Sequence, residues 1–281
     1  MVDKKYYLER IGKVDSSIAL TFEELKRLFG STFERLEQEG YFVEAFGQSC
    51  IDKGFIIGTW GKDLDLAFYL KLKKKGLWPV LKALEQYSEH DLFAVVELLY
   101  DCVSKPTYKN YHSWNDCGYH FGNFDKEAGQ VEFRNQINDM LQYSSPKYEL
   151  SNEGEILEVP EIGIENVLKA ALPRYEPDTV ENRVRAAILK FRRYSSSSDD
   201  RKDAVKTLFD VLEYLRPQIK DVLGSKDEGD LFNIANNFSI RHHSKFQQED
   251  YDQEVWLKWI FYTCLSTTHL LLEILTKRKD A

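Results

Sequence analysis

The run from Val255 to Leu275 limits the fold more than any other stretch of this chain: it has 21 residues, enough to span a bilayer, and is almost wholly apolar. Lys258, His269, Glu273 and several Ser and Thr residues interrupt it, which points to a buried core helix and away from a membrane. A helix that is apolar on nearly every side must be surrounded, so its neighbours in sequence have to supply the walls. Thr179 to about Tyr194 reads as one such helix and Asp199 to Leu215 as a second, with Ala204, Leu208, Val211, Leu212 and Leu215 on one stripe. Pro217 interrupts, a short helical piece to Leu223 follows, and Asp230 to about Arg241 makes a third long helix through Leu231, Ile234, Ala235 and Phe238. Four helices with short links predict a bundle, and a homodimer would bury any side of the last helix left open.

The front of the chain reads differently. Thr21 with Glu24 is a capping-box pattern, and Phe22, Leu25, Leu28, Phe29 and Leu36 carry a helix to about Gly40. Further helices are predicted over about Asp63 to Lys75, from Ser88 with Asp91 to about Val103, and through Val131, Ile137 and Leu141. Between the last two lies a loop rich in aromatics and glycine, and YELSNEGEILEVP reads as a hairpin turning at Asn152 to Gly154. Pro173 and Pro177 mark a break, so the expected organisation is an α+β front domain at 1–173 and an all-α four-helix domain at 174–281. The fold class expected for the whole is mostly α.

Charge divides along the same line. The formal net charge is −8, and residues 174–281 hold 18 basic and 18 acidic groups, so the imbalance sits entirely in the front, with 20 basic against 28 acidic. An acidic front repels phosphate while a neutral rear admits it wherever its basic groups cluster, so RNA is a partner only for the rear half. Lys190, Arg192 and Arg193 are the candidates there for backbone contacts. The four cysteines have no framework spacing and MVDKKYYLER has no apolar signal core, from which a reducing, cytoplasmic setting is expected.

The densest polar cluster of the rear is NNFSIRHHSKFQQ. Metal-free RNA cleavage needs a base for the ribose 2′-OH, an acid for the leaving oxygen and a cation for the phosphorane. His242 and His243 suit the proton transfers, Arg241 suits the charge, and Asn237, four residues earlier on the same helix face, can orient a phosphate or a histidine. The same residues would also complement a helix C-terminus and cap its carbonyls.

The sequence RKDAVKTLFDVLEYLRPQIKDVL, followed by DLFNIANNFSIRHHS and VWLKWIFY, resembles the HEPN domains of bacterial abortive-infection and toxin systems, over about Thr179 to Lys277. The resemblance implies an all-α domain that dimerises, and in many members a metal-independent ribonuclease whose paired motifs meet at the dimer interface. The family pattern sets a His four to six residues after an Arg. Here Asn237 takes the polar place, His242 or His243 the histidine place, and Arg241 delivers the charge from a shifted position. The resemblance therefore implies antiphage or toxin-type function through RNA cleavage to a 2′,3′-cyclic phosphate, or else a silent scaffold that dimerises or binds a second defence component. The stretch from His112 through FRNQIN to YELSNEGEI resembles the front segments that accompany such domains, which implies a sensor or regulatory role.

One front cluster stands apart. YHSWNDCGYHFGNF places His112, Cys117 and His120 at His-x4-Cys-x2-His, with Cys102 or Cys50 as a fourth zinc ligand. Structural zinc usually recruits two close pairs, and no second Cys-x2-Cys or His-x3-His is present. The expectation is a folded recognition loop or aromatic core, with no metal and no cofactor. GFIIGTWG spaces its glycines wrongly for a phosphate loop, and neither a GxSxG elbow nor an HExxH pair occurs.

Overall fold

A computed structural model describes residues 6–13, 19–160, 165–218, 222, 229–233 and 252–279. The chain divides into two compact units, Met1–Ile156 and Leu157–Ala281. The elements of the front unit run α1 (Tyr7–Arg10), α2 (Phe22–Gln38), α3 (Val43–Phe46), β1 (Gln48–Cys50), β2 (Gly54–Ile56), α4 (Leu64–Leu72), α5 (Val80–Ala83), α6 (Glu89–Cys102), β3 (Lys105–His112), β4 (Gly118–Asp125), α7 (Lys126–Leu141) and β5 (Tyr148–Leu150); β6 (Ile156–Glu158) begins at its last residue. The strands make three two-stranded sheets, β1 with β2, β3 with β4 and β5 with β6. The hairpin at the end of the front unit was expected from the sequence; the two before it were not.

The helix starts follow from local chemistry. Thr21 and Glu24 form the capping box, the Thr21 hydroxyl accepting from the Glu24 N–H and the Glu24 carboxylate accepting from the Thr21 N–H at 2.8 Å. Ser88 and Asp91 repeat it at α6. Leu92, Val95, Val96 and Leu99 of α6 are fully buried, and around them Phe29, Phe33, Phe42, Phe46, Phe68 and Phe133 complete an aromatic core. Neighbouring rings such as Phe33 and Phe42, or Phe68 and Trp78, sit 5.1 and 4.9 Å apart.

Two devices aim β1 at β4. Gly47 lies at φ +87°, where a Cβ would meet the Ile56 carbonyl oxygen at 2.3 Å, so only glycine lets the chain leave α3 this close to β2. One residue on, the Gln48 side chain donates to the Phe121 carbonyl and accepts from the Phe121 N–H, both at 3.0 Å. The amide thus pairs with β4 as another strand would.

The rear unit is helical: α8 (Glu165–Lys169), a π turn at Pro177–Glu181, α9 (Asn182–Arg192), α10 (Ser198–Tyr214), a helical stretch at 229–233, and α11 (Gln253–Lys279). Its single core joins Val184, Ala187 and Phe191 of α9 and Leu208, Phe209 and Leu212 of α10 to Leu257, Ile260, Phe261, Cys264 and Leu265 of α11. Phe191 and Phe261 stack 3.9 Å apart at 11°. Helices wall one face of the apolar run from Val255 to Leu275, while Val255, Trp256, Trp259 and Leu270 stay exposed where a fully surrounded helix was expected; among the described residues no helix is long and apolar enough to cross a membrane. Of the expected third helix, 229–233 is described, and the remainder to Arg241 lies outside the described residues.

The division falls between Ile156 and Leu157, ahead of the prolines at 173 and 177 where a break was expected. Leu157 bridges to Arg193, the Glu158 carboxylate accepts from Arg201, and Val167, Leu168 and Leu172 pack on the rear core. The segment before the prolines is therefore already part of the rear unit. The prolines bend the chain inside that unit.

Candidate functional site

Two hairpins, β1–β2 and the β3–β4 ribbon that was expected to be a loop, bring four sulfur and nitrogen groups together. Cys50 ends β1, His112 ends β3, Cys117 immediately precedes β4, and His120 is the third residue of β4. One ligand atom from each lies within 4.8 Å of all the others. Cys50 Sγ stands 3.9 Å from His112 Nδ1, and Cys117 Sγ stands 3.3 Å from His120 Nε2. The two imidazole rings face each other edge to face, 5.2 Å apart.

The turn between His112 and Gly118 makes this possible. Asn115, Asp116 and Gly118 have φ of +47°, +53° and +96°, left-handed conformations that Asn, Asp and Gly adopt at least cost. The chain coils over itself there and returns Cys117 beside His112. From the other hairpin, the Ile51 N–H donates to Cys117 Sγ at 3.3 Å, and the Asp52 carboxylate meets His112 Nε2 at 3.1 Å. Cys50 is buried, and the other three residues are half-buried. Solvent reaches the rim, where Trp114, Tyr111, Tyr119 and Ile51 are exposed and Lys109 lies over the Tyr119 ring at 3.8 Å.

The spacing argument against a ligand set therefore does not hold. The second pair is assembled across 62 residues, His112 with Cys50, and no local motif can show it. Of the two fourth ligands considered, the structure chooses Cys50. Cys102 lies buried on α6, outside the cluster, and burial pushes its thiol well above the ordinary range. All four cysteines are free of disulfides.

The rear candidates fall into two groups. Asn237, Arg241, His242 and His243 lie outside the described residues. The three expected RNA contacts are described. Lys190 is held by Asp203 at 2.9 Å and by Asp200 at 3.9 Å. Arg192 is buried, its Nε and Nη2 both donating to the Glu158 carbonyl at 3.0 and 2.9 Å. That corrects its reading as a phosphate contact: the guanidinium is spent on closing the start of the unit. Arg193, one residue beyond α9, is exposed and pairs through its backbone with Leu157. Arg201, which the sequence alone did not single out, donates from Nη2 to both Glu158 carboxylate oxygens at 3.0 and 2.9 Å.

Comparison with protein-family models, with curated proteins and with solved structures finds no match.

Proposed function

We propose that this chain is a defence or toxin-type protein of the abortive-infection class, in which a HEPN-like rear unit cleaves RNA without a metal and the front unit regulates it. What carries the reading is the organisation of the rear unit. It is a separate helical body built on one apolar helix, and Leu231 and Phe232 anchor in its core the helical stretch that leads into the Asn237 to His243 run. The resemblance sets the active residues in a polar motif late in the third of four helices, and the expected third helix is the one that begins with this stretch. The equal numbers of basic and acidic groups in residues 174–281 let an RNA backbone approach that end.

In this mechanism His242 or His243 takes the proton of the ribose 2′-OH as that oxygen attacks phosphorus. Arg241 neutralises the phosphorane, Asn237 orients the phosphate, and a protonated histidine returns a proton to the departing 5′-oxygen. The products are a 2′,3′-cyclic phosphate and a 5′-hydroxyl. The setting is a reducing cytoplasm, and the partners are RNA and a second copy of the chain. The test is an RNA digest by the purified full-length protein, in which Arg241→Ala and one of His242→Ala and His243→Ala abolish cyclic-phosphate ends; a digest unaffected by replacing Arg241 and His242 together would overturn the mechanism.

A second reading has its own observation. Lys190 and Arg192 are engaged inside the unit, while Trp256 and Trp259, with ring centroids 5.4 Å apart, stand exposed on α11 near Val255. This favours a scaffold that dimerises, or binds a second defence component, without cutting. Sedimentation showing a dimer, together with intact RNA after prolonged incubation, selects it.

A further inference from the structure

We propose that Cys50, His112, Cys117 and His120 bind one zinc ion as a closed tetrahedral centre that clamps the β1–β2 hairpin to the β3–β4 hairpin. With Zn–S near 2.3 Å and Zn–N of roughly 2.0–2.1 Å, tetrahedral angles set a sulfur and a nitrogen ligand about 3.6 Å apart. The Cys50–His112 and Cys117–His120 pairs, at 3.9 and 3.3 Å, bracket that separation. Two thiolates with two imidazoles select zinc over the hard cations, which take oxygen ligands and six or more of them. All four positions are filled by the protein, so the centre is structural: no coordination site is left for water or substrate.

The surroundings of the ligands point the same way. Metal-bound histidines almost always donate their second nitrogen to a carboxylate, a carbonyl or water, which fixes the tautomer and the ring. His112 turns Nδ1 to the cluster and Nε2 to Asp52, 3.1 Å away. The Ile51 N–H supplies Cys117 Sγ with the donor that a thiolate needs. Both come from the turn after Cys50, so a single tight turn delivers one ligand and the supporting contacts for two others. The inference rests on the geometry of the front unit alone and is independent of any activity in the rear.

The clamp has an evident task. β1 and β2 are three residues each, and β2 is exposed throughout, too short and too solvated to hold a hairpin unaided. β3 and β4 form a longer ribbon in which every residue is exposed or half-buried. Neither hairpin has a core of its own, and a shared ion supplies what burial does not.

The experiment is elemental analysis of the full-length protein, purified without chelator and dialysed against metal-free buffer. About one zinc per chain is expected, and cobalt exchanged into the site should give the intense visible bands of tetrahedral coordination with a thiolate charge-transfer band. Cys50→Ser and Cys117→Ser should each lose the zinc, while Cys102→Ala should keep it. Asp52→Asn, a change at an exposed side chain, should lower zinc affinity roughly 10–100-fold in competition with a chromophoric chelator. A wild-type chain without zinc or tetrahedral cobalt bands, or a Cys50→Ser protein retaining full zinc, would overturn the proposal. Should the cysteine variants fail to fold, an unchanged affinity in Asp52→Asn would overturn it equally.

Discussion

Replacing Phe261 by alanine should unfold the rear unit early and leave the front unit untouched. Phe261 is fully buried on α11, stacked on Phe191 at 3.9 Å and edge to face with Tyr262 at 5.5 Å. Removing a buried phenylalanine costs about 3–5 kcal/mol, including the cavity left behind, and the lost ring pairing pushes the value toward the upper end. For a unit the size of Leu157–Ala281, each kcal/mol moves the midpoint by roughly 3–5 °C, so a drop of about 10–25 °C is expected. Differential scanning calorimetry of the full-length protein reads it: two transitions in the wild type, of which one moves. Phe261→Leu, which keeps most of the volume, should cost less than about 1.5 kcal/mol. A single cooperative transition, or equal shifts of both, would refute the division at Ile156 and Leu157.

Other predictions follow from particular contacts. Burial pushes the Asp91 carboxyl up, but hydrogen bonds from Lys74 and Ser88 outweigh it and hold the carboxyl below its usual range. Its contribution is therefore complete above the unfolded carboxylate pKa of about 4 and is lost as pH falls through the lower folded value. Asp91→Asn should lower the urea midpoint at pH 6 and match the wild type at the acid end; a constant gap at all pH values would contradict this. Gly129→Ala should destabilise the front unit by about 1–3 kcal/mol in urea melts, because the added methyl would meet the Lys105 nitrogen at 2.6 Å and Ser104 Cα at 2.8 Å, both rigid backbone. Arg192→Ala should cost about 1–3 kcal/mol by leaving the Glu158 carbonyl without its donors, with RNA affinity unchanged in filter binding.

Where a residue's neighbours in sequence decide its conformation, the reading from sequence and the structure agree. The capping residues Thr21 and Ser88 each open a helix, and α10 and α11 fall within four residues of their expected ends. Gly154, at φ +83°, turns the last front hairpin as expected. The ribbon β3–β4 was missed because its strands lie at the surface and bury no continuous face, so no apolar alternation marks them. The domain boundary was misplaced because prolines mark a bend, whereas the division depends on which core Val167 and Leu168 join. The ligand cluster was half visible: His112, Cys117 and His120 share one hairpin, but Cys50 arrives through Gly47 and Gln48, whose partners Ile56 and Phe121 are far off in sequence or on another strand. Long-range closure of this kind leaves no local signature.

The metal centre is the claim on which this account of the front unit stands, and X-ray absorption at the zinc edge of the full-length protein tests it most directly. Two sulfur ligands near 2.3 Å and two nitrogen ligands at roughly 2.0–2.1 Å, with the outer-shell scattering of imidazole, are predicted. A shell of oxygen and nitrogen alone, or a single sulfur, would contradict it.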